Sequence, residues 1–129
     1  MNIVTAYFST DKDLKQVISF AKYREDHIIK NFVMNVPIIN YDDSEYNWTV
    51  LECTILNEAG EKVAYKGVGF ENKDLNLNDN DKQSNGLYKF MYSFKMGEFY
   101  APQGTYTAIV KAFQNKEEVD SITLNLYVE

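Results

Sequence analysis

The sequence has 129 residues, enough for one domain with its own hydrophobic core, so 1–129 is predicted to be a single domain. Hydrophobic residues make up 45% of the chain, which excludes an intrinsically disordered protein. The net charge of −6 and the lack of any cluster of Lys and Arg argue against nucleic acid and anionic membranes as partners, because both attract basic surfaces.

The first predicted element covers residues 10–22 and has two interpretations. Its apolar residues lie at the i, i+3, i+4 and i+7 spacing of a helical face, with Thr10 as a candidate cap. These apolar residues are Leu14, Val17, Ile18 and Ala21. Residues 15–23 also alternate as a strand would. A helix is favoured, with the strand as the alternative.

Residues 29–40 are predicted to form a strand whose alternate side chains face the core. These side chains are Phe32, Met34, Val36 and Ile38. Pro37 has no N–H to donate to a ladder, so we expect this strand to lie at a sheet edge or to end near the proline.

Five more strands are indicated by apolar residues at every second position, with turn residues between the strands. They cover residues 48–57, 62–70, 86–94, 105–113 and 119–128. Short strands at this spacing predict a mostly β fold, an antiparallel sandwich or barrel. Gly67 and Gly69 share one face of the second of these strands, which indicates a bulge or a close approach to the backbone.

The most polar stretch, residues 74–86, raises the question of a calcium loop. An EF-hand loop needs Gly at its sixth position and Glu at its twelfth. Counted from Asp74, those positions hold Asp79 and Asn85, so the motif fails. A solvated connection that begins as an exposed edge strand at Leu75 and Leu77 is the preferred interpretation, with an irregular calcium site as the alternative.

No set of residues in the sequence meets the requirements of a catalytic, cofactor or metal site. Cys53 shares a face with core residues, and the one histidine, His27, lies in a charged segment, so a Cys–His pair is not expected. One cysteine also excludes an internal disulfide. Gly67 and Gly69 lack the third glycine and the following helix of a dinucleotide site. We therefore predict a protein that is not an enzyme, with no cofactor and no bound metal.

Aromatic residues supply the candidate contact surface. The alternating stripe of residues 88–94 is more typical of a core than of a sugar-stacking surface. Aromatic residues beside polar turns are typical both of binding patches and of ordinary packing at turn edges. The candidates of this kind are Tyr41, Tyr46, Trp48, Phe99 and Tyr100.

From residue 48 to residue 128, the order of strands and turns resembles the immunoglobulin-like N-terminal domains of baseplate upper proteins in phages of Gram-positive bacteria. The stretches that carry the resemblance are "LNEAGEKVAYKG", "NGLYKFMYSF", "PQGTYTAIVKAF" and "DSITLNLYV". The resemblance implies an immunoglobulin-like antiparallel β-sandwich. It also implies a role in assembly, in which the domain joins tail parts or holds a receptor-binding module.

Three functions follow as hypotheses. The first is a non-enzymatic protein-interaction module, a structural or adaptor component of a phage tail or baseplate-like assembly. Its partners would be other proteins, either copies of itself or particle components, with no nucleic acid and no membrane. The second is a small acidic inhibitor that docks on a basic surface of a target protein. The third is a carbohydrate-binding module that uses Tyr46 and Trp48, with or without calcium near Asp79.

The expected location follows from the amino terminus. Its residues lack the basic region, apolar run and cleavage site of a secretory signal, and no apolar run approaches the ~20 residues of a membrane span. We expect no signal peptide, and we expect the protein in the cytoplasm of the producing cell or built into a virion.

Overall fold

A computed structural model describes residues 1–10, 16, 24–30, 32–44 and 48–129. The described residues form eleven strands and two short 3₁₀ turns, at Asn72–Asp74 and Asp79–Asp81. The strands are β1 (Asn2–Ile3), β2 (Tyr7–Thr10), β3 (Arg24–Glu25), β4 (Ile28–Ile29), β5 (Phe32–Tyr41), β6 (Thr49–Leu56), β7 (Lys62–Phe70), β8 (Tyr88–Lys95), β9 (Phe99–Tyr100), β10 (Gly104–Gln114) and β11 (Glu117–Val128).

Four long strands make one antiparallel sheet in the order β11-β10-β6-β7. The β6–β7 and β10–β11 pairs are hairpins, and β6 joins them by pairing with β10. Alternate residues of β6 are buried, as the sequence predicts for Leu51, Cys53 and Ile55. Small β10 residues lie opposite them, such as Ala108 opposite Ile55, so that large and small side chains alternate across this face.

A second sheet has β5 at its centre, with β1 and β2 on one side and β8 on the other. The expectation that Pro37 marks an edge or an end is therefore wrong. The N–H and C=O of a strand residue point to the same side, and the Pro37 carbonyl accepts a bond from the N–H of Val4. The ring nitrogen thus faces residues 4–6, where the chain leaves the ladder between β1 and β2. The proline fits because the strand beside it is interrupted there.

The two sheets pack face to face around one apolar core, and β3, β4 and β9 form a small third sheet beside them. The four β5 residues predicted to face inward are all buried. Aromatic rings fill one end of the core, where Phe70 stacks on Tyr92 with centroids 4.3 Å apart. The predicted mostly β, antiparallel sandwich is confirmed.

The predicted helix at 10–22 lies outside the described residues except at its first residue and at Gln16. Thr10, its candidate cap, is the last residue of β2 and pairs with Phe32. No helix among the described residues is long and apolar enough to cross a membrane.

The polar connection between β7 and β8 does not begin as an edge strand, so that expectation at Leu75 and Leu77 is wrong. Each of its 3₁₀ turns is closed by a reciprocal capping box. Both leucines are half-buried against the core, which explains why they alternate with polar residues. The segment forms capped turns and not a paired strand, because Asn and Asp side chains readily bond to nearby backbone N–H groups.

Candidate functional site

Two exposed aromatic rings on the outer face of β6 and β7 form the most distinctive surface of the described residues. Trp48, just before β6, is 42% exposed, and Tyr65 on β7 is 51% exposed. Gly67 and Gly69 lie beneath them, and Glu52 of β6 lies opposite Gly67. We call these five residues the aromatic platform. Aromatic rings half-open to solvent, on rigid strands, are suited to contact with a ligand.

Trp48 rests directly on the backbone of Gly69. A Cβ atom at position 69 would lie 2.3 Å from Cζ2 of the indole and 2.7 Å from Cη2. Only glycine therefore leaves room for the ring in this position. The close approach predicted for this glycine pair is confirmed, and it is made by an aromatic side chain.

Tyr65 is held by a hydrogen bond along the same face. Its hydroxyl donates to Oε1 of Glu52 at 3.0 Å and would lie 3.0 Å from a Cβ at position 67. The bond to the carboxylate raises the pKa of Tyr65, because it stabilises the protonated phenol. The Nζ atom of Lys62 lies 5.5 Å from the ring centroid. A carboxylate thus lies at the hydroxyl of Tyr65, and an ammonium group lies over its ring.

The turn between β10 and β11 fixes the backbone of Trp48. The Trp48 N–H donates to Oδ1 of Asn115 at 3.2 Å, and the Asn115 N–H donates to the Trp48 carbonyl at 2.9 Å. Asn115 and Lys116 both have positive φ, 50° and 74°, as in a type I′ hairpin turn. Two strands and a hairpin turn therefore position this indole.

A cleft of about 300 Å³ lies at one end of the same sheet. Its walls are the turn after β6 and the segment that leads from β9 into β10. The residues of its walls are Asn57, Glu58, Ala59, Val63, Tyr100, Pro102, Gln103, Gly104, Thr105 and Tyr106. We call it the loop cleft.

The predicted contact residues have different fates. Trp48 is exposed, as is Tyr100 at 61%, and Tyr46 lies outside the described residues. Tyr41 is fully buried and Phe99 is 6% exposed, so their expected exposure was wrong. Tyr41 is the last residue of β5 and Phe99 the first residue of β9, and both side chains belong to the core. Each has an acidic residue next to it in the sequence. A role in partner contact stays a prediction for Trp48 and Tyr100.

Tyr65 is the aromatic residue of the platform that was not among the candidates identified from the sequence. Its position two residues before Gly67, on a strand with a second glycine two residues later, is the signal that was available. Glycines on one face of a strand leave an open surface, and an aromatic residue on the same face extends over it.

Cys53 and His27 are not brought together as a catalytic pair. Cys53 is fully buried, and burial raises the pKa of its thiol to about 12. His27 lies in an exposed turn, edge-to-face with Tyr100 at 6.0 Å between ring centroids. The prediction that Cys53 is a core residue is confirmed.

The carboxylates of the polar stretch bond to their own turns. Asp74 accepts the N–H of Glu71 at 2.8 Å, and Asp81 accepts the N–H of Asn78 at 3.1 Å. Among the residues that the structure describes, no group of three or more His, Cys, Asp or Glu side chains could hold a metal ion. These contacts are those of a capped, solvated connection.

No family model matches the sequence, and no curated protein matches it. Solved structures do match the fold. A glycosyl hydrolase family 2 member from Bacteroides cellulosilyticus matches with a TM-score of 0.64 and 15% identity, over 98% of this chain and 15% of that chain. A glycoside hydrolase family 2 β-glucuronidase matches with a TM-score of 0.64 and 12% identity, over 97% of this chain and 11% of that one.

A β-glucuronidase from Bacteroides uniformis matches with a TM-score of 0.62 and 11% identity, over 95% of this chain and 13% of that one. The chain therefore spans less than a fifth of the length of each of these proteins. At such identities the similarity is one of fold: this chain has the β-sandwich fold of a part of each.

Proposed function

We propose that this chain is a non-catalytic carbohydrate-binding domain and that the aromatic platform is its binding site. The observation that carries the proposal is the indole of Trp48, held on the backbone of Gly69 and half-open to solvent beside Tyr65. An indole fixed by backbone on one side presents its remaining surface to a ligand without first having to be ordered.

The chemistry of the platform suits a sugar ring. A pyranose has an apolar face of C–H groups that stacks on an aromatic ring, and an edge of hydroxyl groups that needs hydrogen-bond partners. Trp48 and Tyr65 offer apolar ring surface. The Glu52 carboxylate accepts hydrogen bonds, and the Lys62 ammonium donates them. The two glycines lie about 7 Å apart along the strand, so the rings would contact different parts of an extended glycan.

The comparisons support the proposal through the kind of protein in which this fold occurs. The matched structures are a glycosyl hydrolase and two β-glucuronidases, and this chain overlays only a small part of each. A domain that makes up so small a part of such a protein is compatible with an accessory role in attachment to glycans. The proposal assigns no catalysis to the chain, since Cys53 is buried away from His27 and the site consists of stacking and hydrogen-bonding groups.

The test uses Trp48 as its own reporter, because it is the one tryptophan in the sequence. The protein is titrated with soluble xylan, mannan, mixed-linkage β-glucan and heparin while tryptophan fluorescence is recorded, and affinity electrophoresis in the same polysaccharides follows the variants. We expect one of these glycans to shift the emission and retard the protein. Trp48→Ala should lower the affinity obtained from the retardation at least tenfold, and Trp48→Phe should retain part of that affinity.

The matched control is Tyr127→Ala, which removes an equally exposed ring from β11 at the other edge of the same sheet. This variant should bind as the parent does. Equal retardation of the parent and Trp48→Ala would overturn the platform as the site. The proposed function would be overturned if none of the four polysaccharides retarded the protein and if it bound no glycan on a wider array.

A second candidate function, a protein-interaction module, is favoured by the edge of β11. This strand is twelve residues long, and no described strand pairs with its outer edge. Residues 121–128 contain no charged residue and no proline, so little on this edge opposes strand addition. An assembly component would associate through the outer edge of β11, and light scattering would detect the oligomers. Thr123→Pro should abolish them, because proline has no N–H to donate to an added strand. A monomer at all concentrations would argue against this candidate.

A further inference from the structure

We infer that the loop cleft binds an alkylammonium group, such as the lysine side chain of a protein partner. The cleft lies at the end of β6, whereas Trp48 lies at the start of that strand. The inference concerns a second site and does not depend on the glycan proposal.

The walls of the cleft are pinned to each other. The Thr105 N–H donates to Oε1 of Glu58 at 2.7 Å, which joins the turn after β6 to the start of β10. Asn57 organises that turn, because its Oδ1 accepts from the N–H groups of Ala59 at 3.0 Å and Glu61 at 2.9 Å. The cleft is therefore formed before any ligand arrives, which lowers the entropic cost of binding.

The opposite wall is also fixed in place. The buried Tyr106 donates its hydroxyl to the carbonyl of Pro102 at 2.7 Å, and the Ala101 N–H donates to the carbonyl of His27 at 2.7 Å. These bonds hold the segment that carries the exposed ring of Tyr100. At about 300 Å³, the space suits a single side chain or a small molecule.

The lining selects for positive charge. Glu58 is its one charged residue, and none of the described residues of the lining is Lys or Arg. An ammonium group would meet the carboxylate of Glu58 and the ring of Tyr100, and both attract cations. The methylene chain behind it would contact Val63 and Pro102. An anion would find no partner of opposite charge.

The charge of the whole chain acts in the same direction. A net charge of −6 attracts basic partners over distance and raises their rate of association at low salt. A lysine on a basic protein surface therefore matches both the cleft and its surroundings. An amino sugar has the same ammonium chemistry and is the other possible source.

The test uses the full chain labelled with nitrogen-15 and follows its amide resonances. The probes are N-acetyl-lysine methylamide, its norleucine analogue without the ammonium, glucosamine and glucose. We expect lysine methylamide to shift the amides of Gly104 and Thr105 in a saturable way, and norleucine methylamide to leave them unmoved. Added salt should weaken the response.

Glu58→Gln is the decisive variant, because glutamine keeps an oxygen acceptor for the Thr105 N–H and removes the charge. It should melt near the parent temperature and bind lysine methylamide at least fivefold more weakly. Tyr100→Leu should weaken binding without altering the charge. Stronger shifts with glucosamine would keep the ammonium chemistry and identify the amino sugar as its source. Equal shifts with norleucine methylamide, or no effect of Glu58→Gln, would overturn the inference.

Discussion

The two faces of strand β7 use aromatic rings in opposite ways. On the inner face, Phe70 is almost fully buried and contacts Tyr92, Phe90 and Tyr41. On the outer face, the residue just before it is Gly69, and the ring of Trp48 lies on that backbone. One ring is surrounded by side chains, and the other is supported from below and open above.

The difference separates stability from binding. A ring enclosed on all sides contributes its whole surface to the core but can contact no ligand. A ring on a glycine keeps its position through contact with the backbone and retains half its surface for other molecules. Stability should therefore depend on the inner face of the strand and ligand binding on the outer face.

The largest expected effect comes from the inner face. Phe70→Ala removes a ring from the aromatic cluster and leaves a cavity, so we expect the free energy of unfolding to fall by about 3–5 kcal/mol. Urea denaturation measures this loss. Tyr127→Ala, on an exposed ring, is the control and should change the value by less than about 0.5 kcal/mol. Similar losses in the two variants would contradict the comparison.

The second effect depends on pH and reports whether water is excluded from the Cys53 thiol. The thiol of Cys53 has a pKa of about 12 when folded, against an ordinary value of 9.0. Between these values the unfolded chain releases a proton that the folded chain keeps. This contribution to stability is complete below pH 9 and is lost at up to about 1.4 kcal/mol per pH unit as the pH rises towards 12.

Urea denaturation at several pH values, with Cys53→Ala as the partner variant, measures this term. The difference in stability between the two proteins should shrink above pH 9, since Cys53→Ala has no thiol to ionise. A difference that is constant with pH would show that the thiol is accessible to water.

The third prediction moves the outer ring without touching the core. Gly69→Ala places a Cβ where the six-membered ring of the indole lies, so the whole Trp48 side chain must rotate away. We expect a loss of about 1 kcal/mol, at the low end for overpacking, with a clear change in tryptophan emission and at least a tenfold loss of glycan affinity. Gly97→Ala is the matched control, because its Cβ would meet no atom within 4 Å. Unchanged emission in Gly69→Ala would refute the contact.

The smallest effect comes from the turn that holds Trp48. Lys116 has a φ of 74°, which costs a side-chain-bearing residue about 1–2 kcal/mol and a glycine nothing. Lys116→Gly should stabilise the protein by about 0.5 kcal/mol after the entropy of glycine is counted, and raise its melting temperature by about 2 °C. Lys116→Ala keeps the strain and should bring no gain. A gain as large in the alanine variant would point to the lost charge instead.

The strands β6, β7, β10 and β11 and their two hairpins could be predicted from the sequence, but the pairing of β6 with β10 could not. Burial alternates along β6, along most of β10 and along β11 after its first residues, and Gly60 or Asn115 marks the turn of each hairpin. The same periodicity placed Cys53 in the core. Patterns of this kind are local, and the hairpins they predict join neighbouring segments of the chain.

The sheet around β5 could be predicted only in part. The inward face of β5 follows from alternation, but its central position depends on β8, which is distant in sequence, and on an interruption opposite Pro37. The burial of Tyr41 also depends on a long-range contact: its hydroxyl donates to Oδ1 of Asn72 and its ring meets Phe90. Neighbouring aspartates gave the opposite impression because they lie beyond the end of the strand.

The candidate sites were predicted less well than the fold. Trp48 and Tyr100 were identified by exposure at polar turns, but neither the partnership of Trp48 with Gly69 nor the loop cleft has a local signature. Both arise where segments far apart in the chain meet, as when Thr105 bonds to Glu58. Such junctions become visible only once the sheets are assembled.

The pairing of β5 with β8 also has a consequence for the order of events in folding. Val33 pairs with Lys95, and the whole β6–β7 hairpin lies between these two residues in the sequence. Hairpins close in about 1–10 μs, whereas partners so far apart must first lose the freedom of a long loop. The β6–β7 and β10–β11 hairpins can therefore form early. The pairings between distant segments, β5 with β8, β6 with β10 and β4 with β9, should follow more slowly, on the scale of milliseconds to seconds typical of β-sandwiches.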